Sequence, residues 1–263
     1  MTTFERRQIL LELMRKQPGL SVLEFSEILK VSQGTVRNDL NALAEQKLIT
    51  RVRGGGTVTQ EPVFSNASGF SLRKSMNEAA KRAIGQEAAK LVSPGDAILL
   101  DASTTVFHMA RFLLSHNHLR VVTNGIEVGR LLAQNPTNTV MLVGGMLKAG
   151  SQSVLGPWSE HFLKDLCTRF AFVSCSGFTP EGGMTEVDVF EAQFRIQSIG
   201  ATTQVIALID SGKFGKIDLS TSLRVNQISN LYTDSSLGED WIQRLNATEI
   251  NYTLCGEIKE PAL

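Results

Sequence analysis

The chain has little cysteine, no long apolar run and no net charge, and each shortage removes a class of protein. Its cysteines, Cys167, Cys175 and Cys255, are odd in number and widely spaced, with no C-x-x-C pair and no clustered histidine; no metal site is expected, and the thiols read as reduced structural groups. No apolar stretch approaches the roughly 20 residues of a membrane span, and the opening MTTFERRQIL carries charge where a signal peptide carries an apolar core. The reading is a cytoplasmic protein with no membrane partner. Lys plus Arg and Asp plus Glu each total 26, which excludes a surface coated in positive charge for non-specific nucleic-acid binding. Two nucleotide signatures are also missing. There is no G-x-G-x-x-G, and Gly212-Lys213 lacks the upstream glycine and following hydroxyl of a Walker A loop, so nucleoside triphosphates and NAD are disfavoured and no cofactor is expected.

What the chain does have is unevenly distributed. At 263 residues it exceeds the usual size of one domain, and two unequal domains are expected. Up to residue 60 the bases, among them Arg6, Arg7, Arg37, Arg51 and Arg53, outnumber the acids, while the remainder is slightly acidic. A small phosphate-facing module attached to a neutral body has this asymmetry.

Within that module Ile9, Leu10, Leu13 and Met14 recur at helical spacing until Pro18-Gly19 stops the helix. Ser21 and Glu24 have capping-box spacing, which starts a second helix with Val22, Phe25, Ile28 and Leu29 on one stripe. Lys30 and Val31 alone separate it from Ser32, the N-cap of a third helix. There Val36, Leu40 and Leu43 share one face, and Gln33, Arg37 and Asn41, with Asn38 beside them, share the other. Arginine and asparagine make bidentate bonds to guanine and adenine edges, and N-cap hydroxyls and free amides hold phosphate. The polar face therefore suits a recognition helix reading double-stranded operator DNA. Beyond it Leu48 to Arg53 alternates as a strand, Gly54-Gly55-Gly56 permits reversal, and Thr57-Val58-Thr59 returns. Three helices and a hairpin make a winged helix-turn-helix domain over 1–60, with Arg51 and Arg53 on one face of the wing, placed to neutralise phosphates.

Residues 61–77 contain Pro62, Asn66, Ser68, Gly69 and Ser71 without periodicity and read as a linker. From 78 to 263 a second domain is expected. Glu78 to Val92 reads as an alanine-rich helix ended by Ser93-Pro94-Gly95. Five short apolar runs follow, Ala97–Leu100, Leu119–Val122, Val140–Val143, Phe170–Val173 and Val205–Ile209, separated by helical stretches, as buried parallel strands of a Rossmann-like α/β sheet are. They end in Asp101, Ser103, Thr104 and Thr105; in Thr123-Asn124; in Gly144-Gly145; in Ser174 to Gly177; and in Asp210 to Lys213. In open α/β sheets ligands bind at the carboxyl ends of the strands, and hydroxyls with helix N-terminal amides cradle anions, so a phosphorylated ligand is expected. Gly182 to Glu186 reads as a loop over that site, His108 as a core or surface histidine, and Lys81 and Arg82 as solvated charges.

In ERRQILLELM, VSQGTVRNDLNAL and LITRVRGGGTV the first module resembles the DeoR family of bacterial regulators, whose V-S-x-x-T-[VI]-R-x-D-L segment is met here by Val31, Ser32, Thr35, Val36, Arg37, Asp39 and Leu40. Asn38 stands where a second arginine is usual, and Arg53 where the wing usually has histidine. The loops of the second domain resemble the family's sensor domain, whose fold is similar to sugar-phosphate isomerases and CoA transferases. The resemblance implies that the hydroxyl loops hold a phosphate and that Asp210 and Lys213 contact the sugar or order the site. It also adds Arg195, in Glu191 to Arg195, where the family commonly has lysine, and it marks Ser103 where glycine is common. The function so implied is a repressor of a carbohydrate-metabolism operon, relieved by a phosphorylated sugar and working as a homodimer or homotetramer. Two alternatives stand beside it: a sugar-phosphate isomerase using Asp101, Asp210 or Glu186 as base, and a regulator that binds DNA without any ligand.

Overall fold

The computed structural model describes residues 3–16, 19–45, 49–52, 55–58, 69–148 and 150–256, in two compact units, 1–68 and 69–263. The first unit holds α1 (Thr3–Lys16), α2 (Val22–Leu29), α3 (Gln33–Glu45), β1 (Ile49–Val52) and β2 (Gly55–Val58). The capping box that starts α2 is formed: Glu24 N–H donates to Ser21 Oγ, and the Glu24 carboxylate accepts from Ser21 N–H. Lys30, in the left-handed region at φ 52, closes α2 through its N–H to Ser26 O, and Ser32 Oγ then accepts from Thr35 N–H at the start of α3. Leu10, Met14, Phe25, Val36, Leu40 and Leu43 form the core of this unit. Ile9 and Ile28, expected on buried stripes, are 38% and 48% exposed. In the hairpin Val52 pairs with Gly55 and Arg51 with Gly56, so these two glycines belong to the returning strand rather than to the reversal. Together the elements make a winged helix-turn-helix.

The second unit runs α4 (Gly69–Ser75), α5 (Glu78–Ala89), β3 (Ala97–Leu100), α6 (Thr104–Phe112), β4 (Arg120–Thr123), α7 (Ile126–Leu132), β5 (Thr139–Leu142), β6 (Met146–Lys148), β7 (Ser153–Leu155), α8 (Pro157–Leu163), β8 (Thr168–Val173), β9 (Gly177–Thr179), β10 (Gly183–Glu186), α9 (Val189–Gly200), β11 (Thr202–Leu208), β12 (Ser220–Leu223), β13 (Asn230–Asp234), α10 (Glu239–Asn246) and β14 (Tyr252–Cys255). Seven strands form a parallel sheet in the order β14-β13-β11-β8-β3-β4-β5. Alternate side chains go to opposite faces: Ile98 and Leu100 pack with Ile84 and Met109 of α5 and α6, while Leu99 packs with Leu163 and Phe194 of α8 and α9. A sheet covered by helices on both faces is the doubly wound arrangement.

The five strands expected from sequence are four neighbouring members, β11, β8, β3 and β4, and the edge strand β5, and β13 and β14 extend the sheet beyond β11. Two expectations change. Residues 69–75, read as linker, form α4, with Phe70 buried edge-on against Phe107 at 5.3 Å. Residues 183–186, read as a loop, form the buried strand β10, paired with β9 and β12, because the turn before it is completed by Gly183 at φ 78. Cys175 and Cys255 are buried and Cys167 is exposed, all as free thiols. Among the described residues no helix is long and apolar enough to cross a membrane, and no His, Cys, Asp and Glu group could hold a metal.

Candidate effector site and DNA-facing helix

The chain winds outward from β3 to β5 on one side of the sheet, then returns beside β3 at β8 and winds the other way. Loops diverge at such a switch point, and the crevice between them is open. A cavity of about 200 Å³ lies there, bordered by Ser103 and Thr104 after β3, Cys175 and Ser176 after β8, and Asp210, Gly212 and Lys213 after β11. The Lys213 ammonium donates to Ser174 Oγ at 2.7 Å and Thr105 Oγ1 at 3.3 Å, and lies 3.3 Å from Asp210 Oδ2. Burial would raise the Asp210 carboxyl, but Lys213, the Asn77 amide at 2.8 Å and Lys81 outweigh it and hold it below the usual carboxylate range. At the start of α6 the Ser103 hydroxyl caps Val106 N–H. The first helical amides, Thr104 and Thr105, have no carbonyl four residues back to serve them.

Behind this wall Asp101 is 1% exposed and organises the loops. Its Oδ1 accepts from Ser103 N–H and its Oδ2 from Ser174 N–H, each at 2.8 Å, and Arg195 lies 3.1 Å away. Arg195 also donates to Glu191 O at 2.9 Å and sits 3.3 Å from Glu186 Oε1. Its burial alone would favour the neutral form; Glu186, Asp101 and Glu191 reverse that and raise its pKa. Burial dominates at Glu186, which is pushed up to about 7 against the attraction of Arg195. Arg195 reaches the cavity, yet its charge is already shared among carboxylates.

Of the effector residues read from sequence, Ser103, Thr104, Arg195, Asp210 and Lys213 border the cavity, while Asp101 and Thr105 stand behind them. Thr123, Asn124, Gly144 and Gly145 lie across the switch point and do not border it. Thr123 Oγ1 accepts from Gly125 N–H, and Asn124 O accepts from Val154 N–H, tying the β4 loop to the β6–β7 hairpin. Gly145 permits that hairpin, since a Cβ there would meet Leu155 O at 2.5 Å. Sequence reasoning missed Arg73, Asn77 and Lys216, which also border the cavity, and treated Lys81 as solvated although it is 4% exposed. Ser176 and Glu186, joined by a 2.9 Å hydrogen bond, stand in segments the sequence did single out.

On α3 the side chains of Ser32, Gln33, Arg37, Asn38 and Asn41 are exposed, and Thr35 is half-buried against the Ser32 hydroxyl at 2.9 Å. Arg37 donates to Gln33 one turn back at 3.2 Å. Asp39, in the same motif, faces inward at 2% exposure and takes the Nε–H groups of Arg6 and Arg7 from α1. The Arg51 side chain and all of Arg53 lie outside the described residues.

Residues 6–61 match the family model described as DeoR-like helix-turn-helix domain, and residues 76–235 match that of the DeoR C terminal sensor domain. The HTH-type transcriptional regulator GolR of Listeria innocua is 33% identical over 240 residues, 91% of this chain and 93% of its own. The glycerol-3-phosphate regulon repressor of Escherichia coli is 29% identical over 251 residues, 95% and 98% of the two chains. The L-fucose operon activator of Haemophilus influenzae is 31% identical over 236 residues, 89% and 93%. Among solved structures, ribose 5-phosphate isomerase A of Methanocaldococcus jannaschii covers 52% of this chain and 55% of its own at 16% identity and TM-score 0.39. The Pyrococcus horikoshii initiation factor eIF-2B covers 83% and 74% at 14% identity and TM-score 0.43. At such scores neither says anything about activity. With both modules matched in order along one chain, and relatives aligned over most of its length, the protein belongs to the DeoR family of helix-turn-helix transcriptional regulators.

Proposed function

We propose that the protein is a cytoplasmic repressor of a carbohydrate-metabolism operon, binding double-stranded operator DNA as a homodimer or homotetramer and released by a phosphorylated sugar. The observation that carries the ligand class is the Lys213 ammonium, fixed by Ser174 and Thr105 at a cavity wall beside the first turn of α6. An ammonium, hydroxyls and helix amides are phosphate-binding chemistry, and the Asp210 and Glu186 carboxylates across the cavity are acceptors for sugar hydroxyls. The volume, about 200 Å³, is below the range that drug-sized ligands occupy and suits a small metabolite. Repression is supported by the glycerol-3-phosphate regulon repressor of Escherichia coli and a carbohydrate target by the L-fucose operon activator of Haemophilus influenzae; since the second is an activator, the sign is read directly from a reporter strain lacking the protein. In this reading Ser32, Gln33, Thr35, Arg37, Asn38 and Asn41 face the DNA from α3, with Arg51 and Arg53 on the wing.

The test is a thermal-shift panel of sugar phosphates and the matching free sugars on the whole protein. A ligand at 1,000 times its Kd stabilises by about 4 kcal/mol. A phosphate-selective shift that Lys213→Ala abolishes is the expected result. Silence from every phosphate at millimolar concentration would turn the account to a regulator without a small-molecule ligand.

A further inference from the structure

The second unit begins with α4, and the end of α4 is a wall of the cavity. Arg73 and Met76 border it, followed by Asn77, which occupies the left-handed region at φ 51. The Asn77 amide donates to Asp210 Oδ1 at 2.8 Å, leaving its carbonyl oxygen available, and the Arg73 guanidinium has no partner among the described residues. An unpaired arginine at a cavity that also holds Lys213 is an anion-binding group in waiting.

What keeps α4 in place is also unusual. Phe70 anchors its first turn against Phe107, but its last carbonyls are held by side chains from two other helices. Lys81 of α5 donates to Arg73 O and to Met76 O, and His108 Nε2 of α6 donates to Lys74 O at 2.9 Å. Both side chains are buried, at 4% and 1% exposure. Burial, with Lys213 nearby, brings the Lys81 ammonium down to about 8, and burial lowers His108. The helix is thus docked by a few hydrogen bonds to the elements that frame the cavity, rather than by a wide apolar face.

Resting on the reading of this cavity as a sugar-phosphate site, we propose that Arg73 and Asn77 bind the effector directly, Arg73 through the phosphate and Asn77 through a sugar hydroxyl shared with Asp210. The segment that leads from the DNA reader into the sensor is then itself part of the ligand site. A ligand bridging α4 to Lys213 binds the docked arrangement of α4 better than an undocked one, which is the differential affinity that a ligand needs to shift a population. Regulation then acts on the segment with which the sensor unit begins.

The experiment uses the full-length protein with three probes, glycerol 3-phosphate, ribose 5-phosphate and fructose 6-phosphate, and with inorganic phosphate as the smallest. Titration calorimetry compares the wild type with Arg73→Gln, with Asn77→Gly, which keeps the positive φ, with Lys213→Ala, and with Arg82→Gln as a cation outside the cavity. Arg73→Gln is expected to weaken every phosphate that binds by about tenfold or more, as loss of a charged hydrogen bond does. Asn77→Gly is expected to weaken sugar phosphates and to spare inorganic phosphate, and Arg82→Gln to change nothing. Independently of any variant, the best-binding probe is expected to slow amide exchange across residues 69–77 in the wild type. If both variants bind within twofold of wild type while Lys213→Ala does not bind, or if exchange slows at 101–107 and not at 69–77, the proposal is overturned and the sugar-phosphate reading stands. If no probe binds the wild type, both fall together.

Discussion

Asp101 spends both carboxylate oxygens on the protein itself, on two loop amides and on Arg195, and this separates two kinds of residue that look alike in sequence. The place of Lys213 and Ser103 at the cavity is legible in the sequence, because hydroxyls and a lysine after a buried strand gather at the carboxyl ends of the sheet. That Asp101 would stand behind them, fixing the loops after β3 and β8, was not legible, since its partners lie 73 and 94 positions away. Removing it leaves Arg195 buried with one carboxylate fewer, and Asp101→Ala is expected to lower unfolding free energy by about 3 kcal/mol in urea melts. Glu186 makes a pH prediction. Its carboxyl rises from the ordinary 4.5 to about 7 in the folded state, chiefly through burial. The folded protein therefore holds this proton between those values when the unfolded chain does not, and the associated stability is present below about 4.5 and lost as pH rises through about 7. Glu186→Gln removes that loss, so the Tm of the variant relative to wild type should climb between pH 5 and pH 7.5. A gap that stays constant with pH would count against the buried-carboxyl account.

Among the elements, legibility followed burial and length. The central strands read clearly because both faces are covered and their runs are apolar throughout. β13 and β14 did not, because strands toward a sheet margin need fewer apolar residues, and Asn230–Asp234 and Tyr252–Cys255 alternate with polar ones. α4 reads as linker in the sequence because its 7 residues are too few to establish a period, and its hold comes from Lys81 and His108 elsewhere in the chain. The pairing of α5 with α6 depends on Gly85, where a Cβ would meet the Met109 N and Cα at 2.7 Å. Gly85→Ala must push backbone apart, and a loss of about 1–3 kcal/mol is expected, read as a drop of several degrees in Tm. On α3 the split between faces was legible in full: Val36 and Leu40 are buried, Arg37 and Asn41 exposed. Arg37→Ala is expected to cost about 1–3 kcal/mol in operator binding and to relax the preference at one base position, measured by selection from random duplexes. A loss equal across all sequences would make Arg37 a phosphate contact instead.

At the scale of the molecule the chain forms two compact units, and among the described residues the larger one exposes several large apolar side chains in and just after its edge strand β5. β5 is the last strand of the parallel sheet; Val140 and Met141 are partly buried against its two faces, while Leu142 is 47% exposed, and after it in the chain come Met146 and Leu147, at 55% and 62%, and Trp158, at 70%. Parallel strands are ordinarily covered on both sides, and exposed apolar side chains near a sheet margin are the first place to test for a contact between copies. A second copy of the chain is the occupant that the proposed oligomer supplies. Leu147→Lys combined with Trp158→Lys is expected to lower the mass measured by light scattering toward that of one chain, without loss of helical signal; an unchanged mass would place the contact elsewhere. The three thiols add a practical property to this arrangement. Burial pushes Cys175 upward and Cys255 to about 12, while Cys167, between α8 and β8, is open to solvent. A maleimide dye should therefore attach once per chain without mutagenesis, so that energy transfer between two dyes would report the spacing of subunits as effector is added.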